Sequence, residues 1–306
     1  MPIDAEGPTG RRLTDGTDVT SDIPKPSTLG ILAGGGVLPA RVAEAALAAG
    51  REVFIVGLEG YAEPKVLAPF PHEFIRFGAA GRIIAALREH GCKDLVMIGP
   101  VRRPSLFHLR PDMEGAKILT RVGRAAFAGD DGLLAAAIKI LHEEGFSVVG
   151  AHTILSEALG PKGLLTQAAP DAAAMADIGR AITVARALGA VDVGQGCVVQ
   201  GGLVLAVEAA EGTDAMLSRC GALARSGPGG VLVKLVKPGQ DRRADLPTIG
   251  PKTIRNAAAA GLRGVAFEAG GTILADRPAL VAEADEAGLF LLGLDPDDPS
   301  IKGEKS

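Results

Sequence analysis

"LGILAGGGVLPARVAEAALAAG", Leu29–Gly50, runs from a short apolar stretch through three glycines into an alanine-rich pattern with Pro39 near its start. A strand, a glycine turn and a helix in that order open a parallel α/β sheet. The start of a helix after such a turn offers unpaired backbone N–H groups and a positive dipole end, which suit a phosphate. Gly34, Gly35 and Gly36 are therefore candidate substrate-binding backbone, and Pro39 fits a first helical turn, where its missing N–H does no harm. The dinucleotide fingerprint is incomplete. Its third glycine would fall at Pro39, and the acid that should follow Val56 is displaced by Gly57 and Leu58, leaving Glu59 out in the loop. Glycines that only permit a tight turn are a second reading, and a nicotinamide-dependent oxidoreductase is a third.

The same alternation continues outward from this unit. Strands are expected at 29–33, 52–57, 73–77, 94–98 and 147–150, and helices at 38–49, 81–90, 117–128 and 133–144. From Thr153 to Pro170 the text "TILSEALGPKGLLTQAAP" has Pro and Gly and no clear period, which signals a linker. Beyond it, helices are expected at 171–188, 214–225, 251–260 and 277–287. Two strands within 196–208 meet at Gly201-Gly202, and further strands fall at 231–236, 265–268 and 289–292. The plan is a polar, disordered leader (1–28), a Rossmann-like parallel-sheet domain (29–152), a linker (153–170) and a C-terminal α/β catalytic domain (171–306), with the ligand between the two domains.

Composition narrows the function. With 47% hydrophobic and 22% charged residues the chain is globular, and 306 residues suffice for two cores. Having no Trp and a single Tyr, it must build those cores from Val, Leu, Ile and Ala. A formal charge of -4 argues against nucleic acid as a partner. Cys92, Cys197 and Cys220 form no C-x-x-C pair and read as small buried apolar residues, and the histidines lack zinc-site spacing. The leader lacks the apolar core of a signal peptide and no stretch is long enough to span a bilayer, so a cytoplasmic protein is expected.

The densest chemistry lies in "VEAAEGTDAMLSR" and "VKLVKPGQDRRADLPTIGPKTI". Glu211, Thr213 and Asp214 stand at a helix start. Lys234 and Lys237 lead through a Pro-Gly turn to Asp241, Arg242, Arg243 and Asp245, with Thr248 beyond. Carboxylates among lysines and arginines in a loop suit a magnesium-bound diphosphate, because hard oxygens take the metal while cations neutralise phosphate. The alternative is a salt-bridged turn, with Asp214 simply favoured by the helix dipole. Asp130 and Asp131 read as helix caps or as ligands. Arg102 and Arg103 lie just past the strand ending at Ile98, on the edge where open α/β sheets bind ligands.

"LGILAGGGVLP", "EGTDAMLSR" and "KPGQDRRADLPTIGPKTI" resemble the UDP-2,3-diacylglucosamine pyrophosphatases of the LpxI type, and the resemblance covers Leu29 to Leu294. It implies two domains with the substrate held between them, a requirement for magnesium, and a place in lipid A biosynthesis. It also implies attack by water on the sugar-side phosphorus of UDP-2,3-diacylglucosamine, giving lipid X and UMP. The essential acid of the D-x-x-x-D-L-P stretch is Asp241 or Asp245, with Asp245 preferred because Leu246-Pro247 fixes its direction.

On that basis Asp245, Asp241 and Lys237 are the expected catalytic residues, and Asp245, Asp241, Glu211 and Asp214 the expected metal ligands. Gly34, Gly35, Gly36, Arg102, Thr213, Lys234, Arg242 and Thr248 are expected at the substrate. A homodimer is implied by the resemblance. Without a basic amphipathic helix, contact with the inner membrane is peripheral at most. A non-catalytic carrier of a phosphorylated lipid or UDP-sugar is the remaining alternative.

Overall fold

The computed structural model describes residues 27–101, 111–122, 130–243 and 246–301. The leader up to residue 26, Arg102, Arg103 and Asp245 lie outside the described residues.

The first sheet has five strands: β1 (Thr28–Ala33), β2 (Val53–Leu58), β3 (His72–Ile75), β4 (Cys92–Ile98) and β5 (Ser147–Val148). Their order is β3-β2-β1-β4-β5 and every pairing is parallel, with Ile31 between Ile55 and Val96. All of β2 is buried, as strands covered on both faces must be. α1 (Leu38–Ala48) packs Val42, Ala43 and Ala46 against Ile31 and Ile55. On the other face, α3 (Ala80–Glu89) and α5 (Asp130–Glu143) pack Ile84, Leu87, Ile138 and Leu141 against Phe54, Val56 and Leu95. α2 (Pro64–Leu67) and α4 (Met113–Val122) complete this half. The strand order reverses between β1 and β4, so the crevice at their carboxyl ends is the topological switch point of a doubly wound sheet.

The second sheet has the order β6-β13-β11-β9-β7-β8. β9 (Val231–Lys234), β11 (Gly264–Glu268) and β13 (Phe290–Leu294) are parallel, while β6 (Gly163–Leu164) and the hairpin β7 (Gly196–Gln200) and β8 (Leu203–Val207) run antiparallel to their neighbours. α7 (Ala172–Ala190) covers one face with Ile178 and Ile182. α8 (Gly212–Cys220), α9 (Pro251–Ala259) and α10 (Arg277–Glu286) cover the other around Phe267. A parallel pair, β10 (Thr248–Ile249) and β12 (Ile273–Leu274), stands apart. Asp171 begins α7 as expected, accepting the Ala174 N–H at 2.7 Å.

Departures from the sequence expectations are local. β3 ends at Ile75 rather than Phe77, and the helix expected from Asp214 to Arg225 becomes α8 followed by a 3-10 turn at Gly221–Leu223. β2 runs one residue further than expected, through Leu58. The stretch 153–170 holds the end of α6 (Ala151–Ile154), a 3-10 turn at Ser156–Ala158, and β6. It is laced to the second half: Gly160 N–H donates to the Thr272 carbonyl at 2.8 Å, and the Arg277 guanidinium donates to the carbonyls of Glu157 and Leu159. Elements this short carry no measurable hydrophobic period, so a pattern reading leaves them blank.

Asp177, on α7, is a buried carboxylate that accepts the N–H groups of Gly201 and Gly202 at 3.0 and 2.7 Å, with Arg263 at 3.6 Å. It ties the tip of the β7–β8 hairpin to the helix. Asp177→Ala leaves those two N–H donors without their acceptor and the guanidinium with Asp171 alone, at 3.0 Å, and is expected to cost about 3 kcal/mol in urea unfolding. The cysteines are all free and buried. Burial pushes the Cys92 thiol up to about 11 and Cys197 up to about 12, and raises Cys220 as well. An Ellman titration at about pH 8 should therefore find no reactive thiol in the native protein and all three after denaturation.

Candidate active site

The loop after β9 is fastened by hydrogen bonds at its start. Leu235 N–H donates to the Gln195 carbonyl at 3.0 Å, and Val236 N–H donates to Glu268 Oε2 at 3.1 Å. Val236 and Leu246 pack into the apolar cluster of the first half, among Leu29, Ile31 and Ala33. The loop between them thus runs along the seam of the two sheets. Its Pro-Gly turn is closed by paired bonds between Lys237 and Gln240, and Lys237 Nζ meets Asp192 Oδ1 at 2.5 Å. Asp192 is one of two described non-glycine residues with a positive φ, 54°. Arg242 donates to Glu268 Oε1 at 2.8 Å.

Asp241 is engaged within the loop by Arg243, through the backbone N–H at 3.0 Å and the guanidinium at 2.6–3.2 Å. Chiefly the guanidinium bond, and then the N–H, hold its carboxyl below the usual range despite some burial. A lowered carboxyl stabilises the turn above its unfolded-state pKa and loses that contribution as the pH falls through its folded value. Both partners are substantially exposed, so the contribution is small.

Behind the loop lies a buried polar trio. Lys234 Nζ donates to Thr213 Oγ1 at 2.6 Å, Thr213 Oγ1 donates to Glu208 Oε1 at 2.7 Å, and Lys234 Nζ stands 3.8 Å from Glu208 Oε2. Lys234 is 4% exposed and Glu208 7%, and Glu208 Oε2 has no hydrogen-bond partner. Lys234 and Thr213, expected at the substrate, are bonded to each other in this structure.

The other expected residues disperse. Glu211 pairs with Arg219 at 2.6 Å, while Asp214, in the first turn of α8, pairs with Lys252 and Asn256 of α9, each at 2.8 Å. Thr248 opens β10 and bonds the Leu246 carbonyl at 3.3 Å. α5 starts at Asp130, so Asp130 and Asp131 stand in its first turn. Among the described residues, no group of three His, Cys, Asp or Glu side chains could hold a metal ion. The described acids therefore do not fit a magnesium cage made by protein alone. Magnesium is commonly held by one or two carboxylates together with substrate phosphates.

The glycine turn is packed rather than open. Gly34 N–H donates to the Ile98 carbonyl at 2.8 Å and Gly35 N–H to the Pro100 carbonyl at 3.0 Å. A Cβ on Gly34 would collide with the backbone of Gly99 and Pro100, so the glycine lets the β1 and β4 loops touch. One sequence expectation is corrected here: with β2 ending at Leu58, Glu59 follows the strand directly instead of lying out in the loop. A cleft of about 510 Å³ opens beside the turn between Val37, Arg41 and Val66 of the first half and Pro251, Ala275 and Asp276 of the second. Arg41 lies 3.7 Å from the carboxylates of both Glu44 and Asp276, which oppose its charge.

Asp192 and Glu268 are the positions that sequence reasoning missed. Glu268 had a signal, since it is the acid closing "GVAFE" at the carboxyl end of a parallel strand. Asp192 had none, because nothing local links it to Lys237.

Fold and site define a two-domain α/β protein with a charged loop at the seam. The chain belongs to the LpxI family: residues 28–158 match the LpxI N-terminal domain and 161–292 the LpxI C-terminal domain. It is 45% identical over 276 residues to the UDP-2,3-diacylglucosamine pyrophosphatase LpxI of Caulobacter vibrioides, covering 88% of this chain and 98% of that protein. Among solved structures it overlaps CobK precorrin-6A reductase, at 15% identity and a TM-score of 0.30 over 88% of this chain and 87% of that one. It also overlaps the NAD complex of Thermus thermophilus UDP-glucose 4-epimerase, at 14% identity and a TM-score of 0.29 over 89% and 87%. No helix among the described residues is long and apolar enough to cross a membrane.

The trio makes a stability test. Lys234→Met strands the Glu208 carboxylate in a buried site and should cost about 3–5 kcal/mol in chemical denaturation. Adding Glu208→Gln should recover much of that loss, whereas a lysine serving substrate alone would leave stability unchanged.

Proposed function

We propose that this chain is a pyrophosphatase of lipid A biosynthesis that hydrolyses the diphosphate of UDP-2,3-diacylglucosamine. Water adds to the sugar-side phosphorus, the bond from that phosphorus to the bridging oxygen breaks, and UMP and lipid X leave. The supporting observation is the seam loop: a chain matched over 88% of its length by a pyrophosphatase relative carries acids and cations there, pinned between two sheets. In this reading Asp245 orients the attacking water, Asp241 is the second catalytic acid, and the cations of the loop face phosphate oxygens. Lys237 and Arg242 are held in place by Asp192 and Glu268, so their positions are set before the diphosphate arrives. Lys234 and Thr213 support the loop from beneath, and Thr248 and the Gly34–Gly36 turn border the substrate.

Asp241 and Asp245 are the acids that would hold magnesium together with the diphosphate, and the metal, when bound, would supply neutralisation of phosphate charge. The protein acts on a lipid substrate at the inner face of the inner membrane, in peripheral contact, and as a homodimer. A nicotinamide enzyme is not favoured, because the turn spends two of its N–H groups on the carbonyls of Ile98, at the end of β4, and Pro100 beyond it.

The test is direct. Incubation with UDP-2,3-diacylglucosamine and magnesium should release UMP and lipid X, and chelation should stop release while circular dichroism stays unchanged. Asp245→Ala should lower turnover by about a hundred- to ten-thousand-fold while substrate still binds, with Asp241→Ala losing as much or less. Lipid that co-purifies without UMP release would instead mark a carrier. If both variants stay active, the loop is a salt-bridged turn.

A further inference from the structure

His152 has no part in the machinery described above. It stands in the short α6, just past β5, on the carboxyl edge of the first sheet where open α/β sheets meet their ligands. The residue is half-buried, yet its Nδ1 is fully buried and has no hydrogen-bond partner. The contrast with two other histidines is clear: Nδ1 of His72 lies 2.8 Å from the Phe70 carbonyl, and that of His90 lies 2.9 Å from the Ala86 carbonyl. The ring of His152 is held by packing instead. A Cβ built on Gly150 would come within 2.5 Å of Nδ1 and 3.2 Å of the Arg242 carbonyl oxygen. Above this glycine, then, an imidazole of the first half and the backbone of the seam loop come together.

With Nδ1 sealed, Nε2 is the nitrogen able to bond a ligand. It adds a donor to the loop's own cations, each of which is held by a carboxylate: Arg242 by Glu268, Arg243 by Asp241 and Lys237 by Asp192. We propose that His152 is a substrate contact supplied from across the seam, its Nε2–H donating to an oxygen of the diphosphate that lies along the loop. The inference rests on the pyrophosphatase reading above.

The experiment measures UMP release from UDP-2,3-diacylglucosamine by the full-length protein and by His152→Ala, His152→Gln and Gly150→Ala. His152→Ala should lower kcat/KM by about 10- to 100-fold, the size of one hydrogen bond to a charged oxygen. Its thermal midpoint should be unchanged. Added imidazole should restore part of the Ala variant's activity, and His152→Gln, which keeps an N–H, should retain more activity than Ala. Gly150→Ala, whose methyl displaces the ring, should fall in the same direction. Wild-type kcat/KM in His152→Ala would overturn the proposal. So would a loss that imidazole does not restore and that parallels a loss of folded protein, since that would make His152 a packing residue. An inactive wild type overturns the pyrophosphatase reading itself, which separates the two failures.

Discussion

Glu268 closes β11 with one carboxylate oxygen on the Val236 N–H and the other on the Arg242 guanidinium. One side chain thereby holds the first turn of the seam loop and its middle. The geometry follows from the sheet: β11 and β9 are parallel neighbours, so their carboxyl ends emerge side by side and an acid on one can reach the chain leaving the other. With Val236 fixed, the apolar contacts of Val236 and Leu246 with the first half's core follow, and the two sheets are committed to a common boundary. A charge-assisted bond to a backbone N–H contributes about 1.5–3 kcal/mol when sheltered, and Glu268 is mostly sheltered. The half-exposed Arg242 end is worth less.

The Glu208–Thr213–Lys234 trio works against a different constraint. Taking two charges out of water costs more than their attraction returns unless the geometry is good, and here the ion-pair distance is long and one carboxylate oxygen has no partner. An apolar trio of the same shape would be at least as stable. What the charged version adds is direction, because Lys234, at the last position of β9, is anchored to Thr213 of α8 immediately before the chain turns into the seam.

The long, periodic elements were legible in the sequence. α1, α7, α9 and α10 fall within a residue or two of their expected spans, because each has a Pro, Asp or Gly at its start. The two-residue strands β6, β10 and β12 were not, since tertiary pairing alone makes them. The candidate site divides the same way. The loop and its residue types announced themselves as a charge cluster, but which charges face each other depends on crossovers. Glu211 and Asp214 read as metal ligands beside the loop, whereas α8 turns them toward Arg219 and α9. Asp192 and Glu268 stand 45 and 26 residues along the chain from the lysine and the arginine they hold. Contacts that distant in sequence are set by topology, and no local pattern could join them to the loop.

Ile273 and Leu246 complete a cluster whose other members, Val236 apart, all precede residue 160, and this bears on how the chain is made. The first sheet leaves the ribosome whole, with its strands already sequential neighbours or one crossover apart. Its apolar flank near Ile31 and Leu155 must then wait for the residues that cap it, which at ordinary rates of synthesis takes roughly ten seconds. β6, drawn from the stretch between the halves, waits longer still for β13. The nascent first half thus carries an exposed apolar flank until Leu246 and then Ile273 have been made.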